Sequence, residues 1–233
     1  DAAAPATPEI SQPAQLDKIA TSARTPAVSR GADYMGFPEA FNRYYTDATW
    51  KPSRTLFVSP DGSGDGATRE APMAARDAVA AARPGTLIHF LAGRYPGGLE
   101  LTSETGGTYD DPVVLYGERG PDGSPGAVID CAVGKRQACI NLEGADYVAV
   151  DGFELVGGRH GVRAVGLGYR ASEHAKGAAI LNSIGHDQEN DPFFSGQSDW
   201  AVWEGNTAYG ARKGDGHGLY ISNGSDWRQS KND

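Results

Sequence analysis

Apolar positions along this chain follow two rhythms. Residues 58–98 (VSPDGSGDGATREAPMAARDAVAAARPGTLIHFLAGRYPGG) read as a strand, a Gly/Asp turn, a short amphipathic helix, a Pro-Gly break and a second apolar strand. Ala74, Ala75, Ala78, Val79 and Ala82 share one helical face, with Arg76, Asp77 and Arg83 offered to water. The predicted helix spans residues 72–83. Pro84 and Gly85 end it, because proline lacks the amide proton and glycine tolerates a left-handed turn. The run TLIHFL at 86–91 is then β-branched and aromatic, closed by Gly93. A helix faced with alanine is thin enough to lie over the end of a stack of strands and cover its edge.

From Asp111 onward the rhythm changes to short apolar runs between Gly, Asn and Asp turns, with no helical pattern in between. The runs are 112–116 (PVVLY), 127–130 (AVID), 147–150 (YVAV), 178–181 (AAIL), 201–203 (AVW) and 218–221 (GLYI). Residues 147–165 (YVAVDGFELVGGRHGVRAV) and 200–222 (WAVWEGNTAYGARKGDGHGLYIS) resemble each other. Each has an apolar strand, a marked turn, a basic segment, then His-Gly and a second strand. Residues 178–185 (AAILNSIG) supply the same first strand, followed by a polar excursion through 187–199. The spacing of these first strands falls in the range of solenoid coils. Stacking strand on strand, coil after coil, is the simplest way to pair every edge. In such a stack Asn182 and Asn206, each in the turn after a first strand, could hydrogen-bond along the ladder or serve only as turn residues.

Composition narrows the class. The 233 residues include 32 glycines with no Gly-X-Y period, which suits an all-β chain with many tight turns and excludes collagen. A net charge of −9 argues against general nucleic-acid binding, which needs a basic surface. No apolar run approaches the roughly 20 residues needed to span a bilayer. The first 30 residues are rich in Ala, Pro, Ser and Thr, whereas Tyr34, Phe37, Phe41, Tyr44, Tyr45 and Trp50 crowd into the next stretch. We therefore divide the chain into an extended aromatic arm, 1–53, and a strand-rich domain, 54–233. The arm is expected to pack along that domain, or to meet another subunit or sugar rings. The start at Asp1, with no charged-then-apolar leader, reads as a mature exported chain, secreted or periplasmic. Cys131 and Cys139 then suggest a disulfide across a short loop, worth roughly 2–3 kcal/mol at most. The chain stops soon after a strand, with no closing element, so further coils or a partner are expected at that end.

The candidate chemistry is a basic constellation. Arg159-His160-Gly161 and Arg212-Lys213-Gly214-Asp215-Gly216-His217-Gly218 fall at equivalent points of the two similar stretches, with Arg163 and Tyr220 one strand position on. A solenoid would put His160 and His217 on one face, about 10 Å apart. Such a local basic patch on an acidic protein can steer a polyanion; the plainer alternative is that His-Gly simply starts a strand. No cofactor is called for with certainty. Ca2+ is a candidate at Asp61 and Asp65, or at Asp187, Glu189 and Asp191, since it takes oxygen ligands. Gly62–Gly66 lacks the Gly-Lys-Ser/Thr ending of a phosphate loop and reads as a turn.

The run from Val58 through Gly64, the alanine-faced helix, Pro84-Gly85-Thr86 and Gly93-Arg94-Tyr95 together resemble the N-terminal entry of the right-handed parallel β-helix (pectate-lyase-like) superfamily. The resemblance covers residues 55–98 well and 127–223 more loosely. It implies an all-β, right-handed parallel β-helix with an N-terminal capping helix. Many carbohydrate-active members are lyases or epimerases of uronic-acid polysaccharides, and others hydrolyse glycosidic bonds. The resemblance thus implies an acidic polysaccharide as partner and β-elimination as the first expectation, with epimerisation or hydrolysis second. Lys213, His217 and Tyr220 are then the catalytic candidates, and Arg159, His160, Arg163 and Arg212 the substrate-binding ones. Hydrolysis would need two carboxylates across a groove, for which Asp151, Glu154, Glu204 and Asp215 are available. The alternative class is a non-catalytic polysaccharide-binding, adhesin or assembly protein, self-associating through the arm or the open C-terminal coil.

Overall fold

The structure, a computed structural model, describes residues 41–131, 138–212, 216–222 and 228–231. Its strands form sheets of eight, five and five members and one further pair, and every strand pairing is parallel. The first sheet holds Met73–Ala74, Arg54–Ser59, Thr86–Phe90, Val113–Gly117, Val148–Asp151, Ala179–Leu181, Ala201–Glu204 and Arg228–Lys231. The second holds Gly93–Pro96, Ala127–Asp130, Phe153–Val156, Ile184–His186 and Thr207–Tyr209. The third holds Leu99–Leu101, Ala138–Glu143, His160–Val165, Phe193–Gly196 and Leu219–Ser222. From Thr86 the chain visits the three sheets in that order, turn after turn, which makes it a parallel β-helix.

Two expectations are corrected by this path. Each coil has three strands where the sequence suggested two, because the second-sheet strands are only three or four residues long. The supposed polar excursion at 187–199 contains the third-sheet strand Phe193–Gly196. Its two phenylalanines point to opposite sides, Phe193 to the core and Phe194 outward, so the run does not read as apolar.

Inside the coil, strand residues from all three sheets interdigitate. Phe90 meets Tyr95 edge-on at 5.2 Å and Phe153 at 5.0 Å. Gly117, the register partner of Phe90, has no room for a side chain, since a Cβ there would sit 2.5 Å from the Gly152 carbonyl oxygen. The corner between the first and second sheets requires a left-handed residue in successive coils, met by Gly152 (φ 86°), Asn182 (φ 47°) and Gly205 (φ 69°). Asn182 therefore aligns with glycines, whereas Asn206 sits one position later. Their carboxamides serve separate partners: Asn182 Nδ2 donates to Asp151 Oδ1 and Asn206 Nδ2 to the Ile180 carbonyl. The in-register asparagine stack is thus not formed.

The helix covers Ala75–Ala80, shorter than expected, because Met73–Ala74 pairs with Arg54–Ser59 as a strand. Ala78, Val79 and Ala82 are buried, and the helix lies against Leu99–Leu101 and Arg54–Ser59 at the first coil. It covers the end of the stack there.

Residues 41–50 run over the outer side of the first sheet. Asn42 caps the helix Arg43–Thr46 through Tyr45 N–H and donates its Nδ2 to the Gly177 carbonyl. Phe41 packs edge-on to Trp200 at 6.0 Å, and the Tyr44 and Tyr45 hydroxyls donate to Asp151 and Glu204, each at 2.8 Å. Burial, then the Asp151 carboxylate, pushes the Tyr44 hydroxyl far above the usual tyrosine range. Tyr34 and Phe37 lie outside the described residues.

Cys131 and Cys139 form a disulfide, with Cα atoms 5.4 Å apart, tying the end of a second-sheet strand to the third-sheet strand of the same coil. The intervening residues 132–137 lie outside those described. Thiol titration of the denatured, unreduced protein is expected to find no free thiol; two reactive thiols would refute the bond.

Candidate functional site

The register of the third sheet lines up Glu100, Asn141, Arg163, Phe194 and Tyr220, one from each coil, on its outer side. Arg163 Nη1 donates to Asn141 Oδ1 at 2.9 Å and Glu143 Oε2 at 2.8 Å. The Asn141 hydrogen bond, with Arg163, holds the Glu143 carboxyl below the usual carboxylate range. Phe194 and Tyr220 stack at 5.7 Å, and the rings of His160 and His217 lie 5.0 Å from Phe194 and 5.3 Å from Tyr220 respectively. At the entry to these strands a cleft of about 410 Å³ opens, lined by Arg159, His160, Arg163, Asn190, Asp191, Phe194, His217 and Tyr220.

The His-Gly pair has a backbone reason. Gly161 and Val162 N–H both donate to the Pro192 carbonyl. A Cβ on residue 161 would sit 2.6 Å from that carbonyl oxygen, which only glycine avoids. His160 lies against Phe194 at the cleft.

Asp191, in the coil between the two histidines, touches both. Its carbonyl meets His160 Nδ1 at 3.1 Å, and its Oδ1 accepts His217 N–H at 2.8 Å and lies 3.3 Å from His217 Nδ1. His160 is only 4% exposed, and burial holds its imidazole below the usual histidine value, so it is neutral near pH 7. The His217 side chain is 59% exposed.

Of the residues nominated from sequence, Arg159, His160, Arg163, His217 and Tyr220 border this one cleft. Arg212 does not line it; its side chain is exposed and its backbone N–H goes to Gln188. Lys213 and Asp215 lie outside the described residues. Sequence reasoning misses Phe194 and Asn190 and names Asp191 only as a calcium candidate; all three lie in the segment read as a polar excursion.

Of the calcium candidates Asp187, Glu189 and Asp191, Asp187 meets His186 and Asp191 meets His217. Asp65 accepts the Ala67 N–H of its own turn. Among the described residues no three His, Cys, Asp or Glu side chains gather to hold a metal ion. Of the hydrolase carboxylates, Asp151 is held by Tyr44, Arg119 and Asn182, and Glu204 by Tyr45, both under residues 41–50. Glu154 lies on the second sheet with His186.

That second-sheet cluster is a pH-dependent element of the scaffold. His186 Nε2 lies 3.2 Å from Glu154, Nδ1 lies 2.7 Å from Asp187, and the ring stacks on Tyr209 at 4.8 Å. The Glu154 bond, with Asp187 and against partial burial, raises the His186 value above the ordinary one. Its stabilisation is therefore complete below the unfolded value of about 6.5 and is lost as pH rises through the raised folded value. Melting the parent and His186→Gln across this range should show a difference that shrinks as pH rises. A difference that grows with pH would overturn the assignment.

No family model matches the sequence, and no curated protein matches it. Among solved structures, the crystal structure of pectate lyase Pel9A is similar, with a TM-score of 0.57 and 20% sequence identity. The match covers 78% of this chain and 46% of that one, so this chain spans about half of that protein's length. The likeness is one of fold: this chain is a parallel β-helix similar to that structure.

Proposed function

We propose that this is an exported, carbohydrate-active protein that cleaves an acidic, uronate-containing polysaccharide by β-elimination. The observation that carries the reading is the gathering of Arg159, Arg163, His217 and Tyr220 around one cleft on an otherwise acidic protein. The similarity to a pectate lyase supports the substrate class, and the disulfide supports an oxidising compartment. No helix among the described residues is long and apolar enough to cross a membrane.

In this mechanism Arg159 and Arg163 hold the uronate carboxylate and offset the charge that develops next to it. Both hydrogen bonds seen for Arg163 leave from Nη1, and a guanidinium has five N–H donors, so donors remain for a ligand. His217 takes the C5 proton, and the C5–H electrons form the C4–C5 double bond. The C4–O bond breaks, and the Tyr220 hydroxyl protonates the departing oxygen. Lys213 is the alternative base. Uronate polymers incubated with the protein should develop the ultraviolet absorbance of an unsaturated uronate. New reducing ends without that absorbance would point to hydrolysis, and binding without cleavage to a non-catalytic polysaccharide-binding protein.

A further inference from the structure

An imidazole as exposed as His217 would ordinarily swing freely, yet its ring and its own backbone N–H both meet one oxygen, Asp191 Oδ1. We infer that Asp191 is a positioning residue for both histidines of the cleft, holding His160 through its carbonyl and His217 through its carboxylate. The significance of this for turnover rests on the function proposed above; the positioning itself does not.

A carbonyl oxygen can only accept, so His160 carries its proton on Nδ1 and keeps the Nε2 lone pair. An ionised carboxylate likewise only accepts, which fixes the neutral His217 as the Nδ1–H form with Nε2 as its basic nitrogen. Asp191 is well placed to impose this. It is only 7% exposed, and the carbonyl of the next residue, Pro192, accepts the N–H groups of Gly161 and Val162. The third coil thus anchors the residue that orients a side chain of the fifth. Among the described residues, Arg159, Arg163 and Tyr220 are the other charged or titratable groups bordering the cleft, and the Tyr220 ring lies 5.3 Å from that of His217.

The two oxygens can be separated by mutation. Asp191→Ala keeps the carbonyl that accepts from His160 Nδ1 and removes the carboxylate, whose Oδ2 also lies 3.8 Å from that nitrogen, so it should release His217 while His160 keeps its carbonyl bond. Nitrogen-15 spectra of the histidine side chains, recorded above neutral pH on the full chain, report which nitrogen carries the proton. The parent should show both residues as Nδ1–H. In Asp191→Ala, His217 should relax to the mixture of a free imidazole while His160 remains the Nδ1–H form.

An unchanged His217 signal in the variant, or an Nε2–H form in the parent, would overturn the inference. Should the alanine variant not fold, Asp191→Leu, which keeps bulk but has no acceptor, is judged by the departure of His217 from its parent form. On a uronate polymer that the parent cleaves, Asp191→Ala should lower kcat by about 10²–10⁴-fold with KM little changed. A parent that cleaves none defeats the lyase reading, and the nitrogen spectra still decide the positioning role.

Discussion

Replacing His217 with alanine is expected to lower turnover of a uronate polymer by about 10²–10⁴-fold, the usual cost of losing a general base. Fold and binding should survive. His217 lies at the rim of the cleft, more than half exposed, and is no part of the buried core. Arg159 and Arg163, on another coil, remain to hold the carboxylate. The loss should therefore fall on kcat, with KM and melting temperature close to the parent's. Tyr220→Phe provides the companion measurement, since it deletes the hydroxyl but keeps the ring that stacks on Phe194. Full turnover by the alanine variant on every polymer the parent degrades would remove His217 from the mechanism. A fall in melting temperature matching the fall in rate would instead make it structural.

Phe153→Ala is expected to cost about 3–5 kcal/mol of folding stability, the range for emptying a core aromatic position. Phe153 has no exposed surface and meets the Phe90 ring at 5.0 Å. Its neighbours cannot close the void cheaply, because each belongs to a strand held on both sides by parallel ladders. Against a total of about 5–15 kcal/mol for a typical domain, that loss is large. Denaturant titration should move the midpoint well down at a similar slope. A change below about 1 kcal/mol would mean that the coil relaxes around the missing ring.

The fold was legible because its governing signals are local. The Pro84-Gly85 stop, the alanine-faced helix and the short apolar runs each follow from backbone sterics or side-chain periodicity within a few residues. Second-sheet strands other than Ala127–Asp130 escape notice because three residues such as Ile184–His186 cannot display an alternation. The repetition of Arg-His-Gly and His-Gly in two similar stretches brought His160 and His217 to the same cleft. Asp191 was hidden for a different reason. Its relation to them is one of register between coils, and the sequence between shows only an acidic run. Phe194 was equally invisible, as an outward aromatic beside an inward one breaks the expected strand pattern. The roles of Asp151 and Glu204 depended on tyrosines more than a hundred positions earlier in the chain.

The uniformly parallel pairing governs how the chain reaches this structure. Every strand in the three large sheets is bonded to strands contributed by other turns, so each ladder must wait until the polypeptide has travelled around a further circuit. Contacts of such long sequence separation delay the rewards that offset loop closure, which puts the domain among slow folders. The pairing of Arg54–Ser59 with Thr86–Phe90, bridged by the short helix, is a natural template for growth. The cleft, assembled from the third, fourth and fifth coils, would then be among the last parts to form.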